Sequence, residues 1–215
     1  MVNDLIIQKT IEFVKNELSG IEAGHDWEHV KRVWKLAKHI AETEKVDVFV
    51  VELGALLHDI ADSKFHGGSE DIGPEKAANF LSSLYVDEVV IDQVVKIIKN
   101  ISYKGGNHVQ EFKSPELDVI QDADRLDAMG AIGIARTFNF GGYKNRPLYD
   151  PEIKPDLNMD KETYKQRLSP TINHFYEKLF LLKDRMNTAE GKRLAQDRHS
   201  FMVEFVDRFF EEWDF

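Results

Sequence analysis

The sequence predicts an all-α protein. Two observations carry this. Apolar residues recur at helical spacing in nearly every segment, and no segment alternates apolar with polar side chains as a half-buried strand does. The stretch richest in β-branched residues, VDEVVIDQVVKII (86–98), still sets its apolar positions at a 3.6-residue period.

The elements follow in chain order. Leu5, Ile6, Ile11, Phe13, Val14 and Leu18 mark a first helix, ended by Ser19–Gly20. Asp26 is a natural N-cap for a second, which carries Val30, Val33, Trp34, Ala37 and Ile40 on one face. A third, Val48 to Asp59, is apolar almost all round and is predicted buried. Pro74 suits the first turn of a fourth, running to Leu84, and Val86 to Asn100 makes a fifth. Ser114–Pro115–Glu116 opens a sixth through Asp124. The helical text then runs to Phe138, as a continuation or as a new helix. A long helical segment, Lys161 to Met186, and another, Ala189 to Trp213, complete the chain.

Three segments break the pattern: SKFHGGSEDIGP (63–74), SYKGGNHVQEFKSP (102–115) and FGGYKNRPLYDPEIKPDLN (140–158). The last holds three prolines, a Gly–Gly pair at 141–142 that reads as a hinge, and several cations and aromatics. A loop of this length in a compact domain is functional or disordered. None of the three reads as a linker. The expectation is one domain over 1–215, with a motif core at about 20–150 and helices in 161–213 packing on it.

Bulk composition narrows the function. Of 215 residues, 42% are hydrophobic and 31% charged, as in an ordinary globular protein. There is no cysteine, which excludes disulfides, thiolate ligands and Cys-based zinc fingers and fits a reducing compartment. The N-terminal stretch is amphipathic and lacks the basic and apolar regions of a secretory signal. No run reaches the roughly 18 apolar residues of a membrane span. A cytoplasmic location, with no membrane partner, is expected. The net charge of −10 argues against binding of nucleic-acid polymers, which favours a basic face. A small phosphate substrate needs only a local basic pocket.

The chemistry-bearing residues are His29, His58–Asp59 in LGALLHDIAD, and Asp124 in VIQDADRLDAMG. Each lies at or near the end of an apolar, helix-period segment. Together they offer two neutral nitrogens and two anionic oxygens, a donor set for a first-row transition metal rather than calcium or a structural zinc. Blander readings stand beside this. His29 alone suits a surface or hydrogen-bonded position. His58–Asp59 suits a helix terminus, where the dipole favours His⁺. Asp124 could cap Ala128 or pair with Arg125 or a lysine. ALLHDI weighs against them, because an apolar run ending in an imidazole and a carboxylate buries both, and burial demands a partner. A hairpin of helices two and three, turning near Lys45–Asp47, would return His29 beside His58.

HDWEHVKRVWKLAKHIA (25–41), ALLHDIAD (55–62), QDADRLDAMG (121–130) and GGYKNRPLYD (141–150) resemble the HD-domain superfamily of metal-dependent phosphohydrolases, in particular its small bacterial members. The resemblance implies a helical bundle with a metal site between helices, His29, His58, Asp59 and Asp124 as ligands, and hydrolysis of phosphate esters or anhydrides, often of nucleotides. One divalent ion per chain is expected: Mn²⁺, Ni²⁺, Co²⁺, Fe²⁺ or Mg²⁺. His66 and His108 sit in glycine-rich loops, so a dinuclear site is disfavoured, although His25 could support a second ion.

Around this set, Asp62 is placed to orient or deprotonate the water, or is a solvated acid. Arg32, Lys64, Lys144 and Arg146 are candidates to bind substrate phosphates. Lys144 and Arg146, with Tyr143 and Tyr149, suit a nucleotide lid or a solvated loop. Arg125 should point away from whatever Asp124 faces. Asp122 and Asp127 read as helix-surface groups or supports for the ligands. Phe201, Phe205, Phe209 and Trp213 fall on one stripe that suits core, packing surface or a homodimer interface. The leading function is a phosphohydrolase acting on a small nucleotide-like substrate. A catalytically silent metal- or nucleotide-binding regulatory module is the alternative, and a di-iron oxygenase is a third reading that needs more ligands than this motif supplies.

Overall fold

The computed structural model describes residues 2–20, 26–60, 71–101, 112–157 and 169–213, and among these no residue is in a strand. The all-α expectation holds. The helices are α1 (Val2–Glu17), α2 (Trp27–Ala41), α3 (Val48–Leu57), α4 (Ile72–Ser83), α5 (Glu88–Ile101), α6 (Pro115–Asp127), α7 (Gly130–Tyr143), α8 (Asn173–Glu177) and α9 (Ala189–Trp213), with a 3₁₀ helix at Leu179–Arg185. The chain divides into two compact units, Met1–Lys104 with Val109–Ala123 and Gly105–His108 with Asp124–Phe215.

The first unit is built on α3. Its apolar circumference predicted burial, and Val50, Val51, Leu53, Leu56 and Leu57 are all fully buried. Each such side chain contributes about 1.5–3 kcal/mol of transfer free energy. Gly54 lets neighbours come close: a Cβ there would lie 2.7 Å from Ile120 Cδ1 and 3.4 Å from Ile97 Cγ2. A side chain at Gly54 would therefore require the Ile120 side chain to move aside.

The pairing of α2 with α3 positions the site. Asp26 caps α2 as predicted, its carboxylate accepting from the His29 amide at 2.9 Å. Asp47 caps α3 by accepting from the amides of Phe49 and Val50. Further along, Glu52 of α3 accepts from Trp34 Nε1 at 3.1 Å and meets Lys38 Nζ at 2.8 Å. These contacts fix the register of the hairpin, so the start of α2 returns beside the end of α3. Phe13 stacks on Phe80 at 4.0 Å and Lys76 bonds Glu17 at 2.6 Å, tying α4 to α1.

The second unit is held by aromatics. Phe175 is fully buried, stacked on Phe205 with centroids 5.8 Å apart and tilted against Phe138 at 6.1 Å. The helical text after Asp124 resolves into a break and a new helix. The break comes at Ala128–Met129, where Gly130 takes φ +67°, a conformation L side chains rarely adopt. Arg198 Nη1 donates to the Leu126 carbonyl at 2.5 Å, satisfying an acceptor at the end of α6.

Two expectations are corrected here. The segment Lys161–Met186 was expected as one long helix. Residues 161–168 lie outside the described part, and the rest is the five-residue α8 followed by the 3₁₀ helix. The cause is a competing partner for the backbone: Thr171 N bonds Pro147 O at 2.9 Å, Ile172 N bonds Leu148 O at 3.0 Å, and Asn173 Nδ2 bonds Ile153 O at 2.9 Å. The Gly141–Gly142 pair was expected as a hinge in a loop, but both residues belong to α7. Gly141 is there for space, since a Cβ would come within 2.2 Å of Thr171 Oγ1. The loop proper begins at Lys144, and the bonds just named join its residues 147–153 to 171–173.

Candidate metal centre

His29 lies in the first turn of α2, buried, and His58 follows the last residue of α3 as its C-cap. The hairpin brings His58 Nε2 to 3.3 Å from His29 Nε2, and Asp59 Oδ2 to 3.9 Å from His29 Nε2. All three ligand atoms lie within 4.8 Å of one another. Two donors that each sit about 2.1 Å from one ion are at most about 4.2 Å apart, and the two measured pairs meet that limit.

The helix end sets the chemistry of His58. Its Nδ1 lies 2.8 Å from the Ala55 carbonyl, one turn back. A carbonyl only accepts, so Nδ1 carries the proton and Nε2 presents its lone pair toward His29. A backbone acceptor holding a ligating imidazole in one tautomer is the usual support of a metal site. Adjacent helical residues diverge by about 100°, but His58 and Asp59 come just past the last residue of α3, where both reach the space in front of its end.

The remaining predicted residues are placed as follows. Arg32 is half-buried on α2, one turn after His29. Asp124 is half-buried on α6 and belongs to the second unit. Asp62, Lys64, His25, His66 and His108 lie outside the described residues. Lys144 is exposed, with Nζ 4.9 Å from the Tyr143 ring and 5.7 Å from that of Phe140, and the Arg146 guanidinium lies 5.7 Å from the Phe140 ring. Arg125 donates to the Arg185 carbonyl.

The helix-surface reading of Asp122 and Asp127 is corrected, since both are buried. Asp127 accepts from Arg136 Nη1 at 2.5 Å, a partner about two turns into α7 that satisfies the buried carboxylate. The C-terminal stripe is a packing surface within its unit. Phe209 stacks on Trp213 at 5.5 Å, and Tyr149 meets Trp213 edge-on at 5.4 Å. Phe201 and Trp213, at the two ends of the stripe, are 50% and 45% exposed.

Sequence reasoning passed over Thr171, His174 and Lys178. The signal was the i, i+4 pair His174/Lys178 in NHFYEK, which puts an imidazole and a cation on one helical face. Burial, with the nearby charges of Lys178 and Arg146, pushes the His174 imidazole down to about 3. A group that resists protonation in the folded state contributes stability above its unfolded value near 6.5 and loses it as pH falls toward 3. Fully desolvated, such a shift removes about 2 kcal/mol between pH 7 and pH 5. The residue keeps some solvent exposure, which screens the charges and lowers this to about 1 kcal/mol. Urea unfolding of the wild type and His174→Gln at pH 7 and 5 checks it. The variant should lose about 1 kcal/mol less than the wild type on acidification, and equal losses would refute the assignment.

The chain matches the family model described as HD domain over residues 26–129. It is 39% identical to YpgQ of Bacillus subtilis over 203 residues, covering 90% of this chain and 87% of YpgQ. The crystal structure of YpgQ in complex with ADP aligns with a TM-score of 0.78, covering 99% of this chain and 97% of that one. Over this longer structural alignment the identity is 33%. A crystal structure of an HD-superfamily hydrolase from Bacillus thuringiensis is 43% identical, with a TM-score of 0.80 and coverage of 99% and 98%. No described helix is long and apolar enough to cross a membrane.

Proposed function

The chain belongs to the HD-domain family, and on that premise we propose that it is a divalent-metal-dependent phosphohydrolase acting on a nucleotide or a related small phosphate ester or anhydride. The observation that carries the reading is the His29–His58–Asp59 cluster, with the His58 tautomer held by Ala55. A hydrolase fold supports it through the relative from Bacillus thuringiensis, and a nucleotide substrate is supported by the ADP in the YpgQ complex.

In this reading His29 and His58 hold one ion through Nε2, and Asp59 supplies an anionic oxygen. On the family pattern Asp124 is the fourth donor. Such an ion, when bound, makes a water more acidic and withdraws charge from a phosphoryl oxygen. Asp62 would orient the attacking water and accept its proton. Arg32, Lys64, Lys144 and Arg146 hold the phosphates that the ion does not reach. The donor set fits Mn²⁺, Fe²⁺, Co²⁺ or Ni²⁺, and Mg²⁺ less well because it favours all-oxygen ligands.

The test is a panel of nucleoside mono-, di- and triphosphates incubated with the full chain and each of Mn²⁺, Mg²⁺, Co²⁺ and Ni²⁺, with products separated by chromatography. Metal-dependent release of phosphate or pyrophosphate, abolished by a chelator, is expected. Nucleotide binding with no product under any metal would instead identify a silent regulatory module.

A further inference from the structure

Among the described residues, three polar side-chain atoms of the second unit are buried without a hydrogen-bond partner; one is His199 Nδ1, and the other two belong to one neighbourhood. These two are Arg146 Nε and Thr171 Oγ1. Thr171 is only 3% exposed. Its hydroxyl lies against Gly141, where a Cβ would approach within 2.2 Å, and Arg146 N bonds the carbonyl of that same Gly141 at 2.9 Å. The Thr171 amide bonds Pro147 O, next in the chain to Arg146, and the Thr171 carbonyl accepts from the His174 amide at 3.2 Å. Lys178 N bonds the His174 carbonyl one turn on, at 3.0 Å. Five residues from three segments are thus fastened together by short backbone bonds.

Their chemistry has one sign. A guanidinium, an ammonium, a hydroxyl and a neutral imidazole all donate hydrogen bonds, and two of them are cationic. A buried guanidinium nitrogen left without an acceptor is costly, and so is a buried hydroxyl. A cluster of donors around orphaned polar atoms is the complement of an oxyanion, whose oxygens accept from a guanidinium with directional bonds. Gly141 belongs to the same design, because any side chain there would displace the Thr171 hydroxyl.

We propose that Arg146, Thr171, His174 and Lys178 form a binding site for a phosphate-class oxyanion in the second unit. Arg146 and Lys178 supply the charge, and the Thr171 hydroxyl and one imidazole N–H supply directed donors. The site does not depend on a metal. Only the identity of its occupant as the phosphate tail of a nucleotide, rather than a free oxyanion, rests on the function proposed above.

Calorimetric titration of the full chain, at fixed ionic strength and with excess chelator, tests this with inorganic phosphate, pyrophosphate, ADP and adenosine. Saturable binding of phosphate or pyrophosphate is expected. Arg146→Gln and Thr171→Val should each weaken it, by roughly ten- to a hundredfold for the charged donor. Thr171→Ser, which restores a hydroxyl, should recover most of the affinity. The imidazole resonances of His174 should shift on saturation with pyrophosphate and stay still with adenosine. Tighter binding of ADP than of either inorganic anion, lost in Arg146→Gln, would identify the nucleotide tail as occupant, whereas equal affinities would identify a free oxyanion. No anion binding by the wild type, or binding unchanged in both Arg146→Gln and Thr171→Val, overturns the proposal. Because the chelator removes any bound ion, failure of the metal reading leaves these outcomes unaffected.

Discussion

His58→Ala is expected to leave the protein with no retained divalent ion and with phosphohydrolase turnover at background. The imidazole is one of three donors held within 4.8 Å, and its lone pair is aimed by the bond from Nδ1 to the Ala55 carbonyl. Alanine removes donor and aim together. Asp59→Asn should behave similarly but more mildly, since the amide oxygen keeps the shape and loses the charge. Elemental analysis after metal loading and desalting measures the first effect: about one ion per chain in the wild type, close to none in His58→Ala. Thermal unfolding measures the second. An ion at a hundred times its Kd stabilises the folded state by about 2.7 kcal/mol, so a chelator should lower the wild-type midpoint and leave His58→Ala unmoved. Asp62→Ala separates binding from chemistry. Metal content should stay near normal while kcat falls by about 10²–10⁴, the usual contribution of a general base. Full metal content and full turnover in His58→Ala would sink the assignment of this cluster.

The site was legible where local rules and topology agreed. Asp26 announces the start of α2 through its cap, and the apolar run before His58 announces a buried α3. A short connection between them leaves an antiparallel hairpin as the simple solution, and that hairpin sets His29 beside His58. Periodicity likewise gave the all-α class. It failed between 169 and 186, because it reports an amphipathic face and not the partners that compete for the backbone. There Thr171, Ile172 and Asn173 bond to 147–153 across twenty residues or more, and no local pattern encodes that pairing. Asp127 failed for a related reason. Its partner Arg136 lies beyond the α6–α7 break, so the ion pair that permits its burial is invisible within a single helix. The Gly141–Gly142 pair misled because a glycine can mean freedom or lack of room, and sequence does not distinguish the two.

That ambiguity gives the largest stability effect we expect, and three glycines of α7 separate the meanings. At Gly133 an added Cβ would stand 2.2 Å from the carbonyl oxygen of Ala128 and 2.5 Å from its carbon. Those atoms belong to the backbone of the α6–α7 break, so they cannot yield by rotating a side chain. Gly133→Ala must open the break that Gly130 and the Arg198–Leu126 bond hold, at a cost of about 3 kcal/mol or more. At Gly141 the same Cβ meets the Thr171 side chain, which is buried and hemmed in but has a rotamer to change. A smaller loss follows there, together with loss of whatever the hydroxyl binds. At Gly142 nothing lies within 4 Å, and the residue is helical. Alanine there should stabilise by up to about 1 kcal/mol, the ordinary helix preference over glycine. Urea unfolding of the three alanine variants, followed by aromatic circular dichroism that reports the Phe138–Phe175–Phe205 core, gives the order directly. The expected ranking is Gly142→Ala above wild type, then Gly141→Ala, then Gly133→Ala. A Gly133→Ala protein as stable as the wild type would mean that the chain leaves α6 by a different path, and the placement of α7 would have to be redrawn.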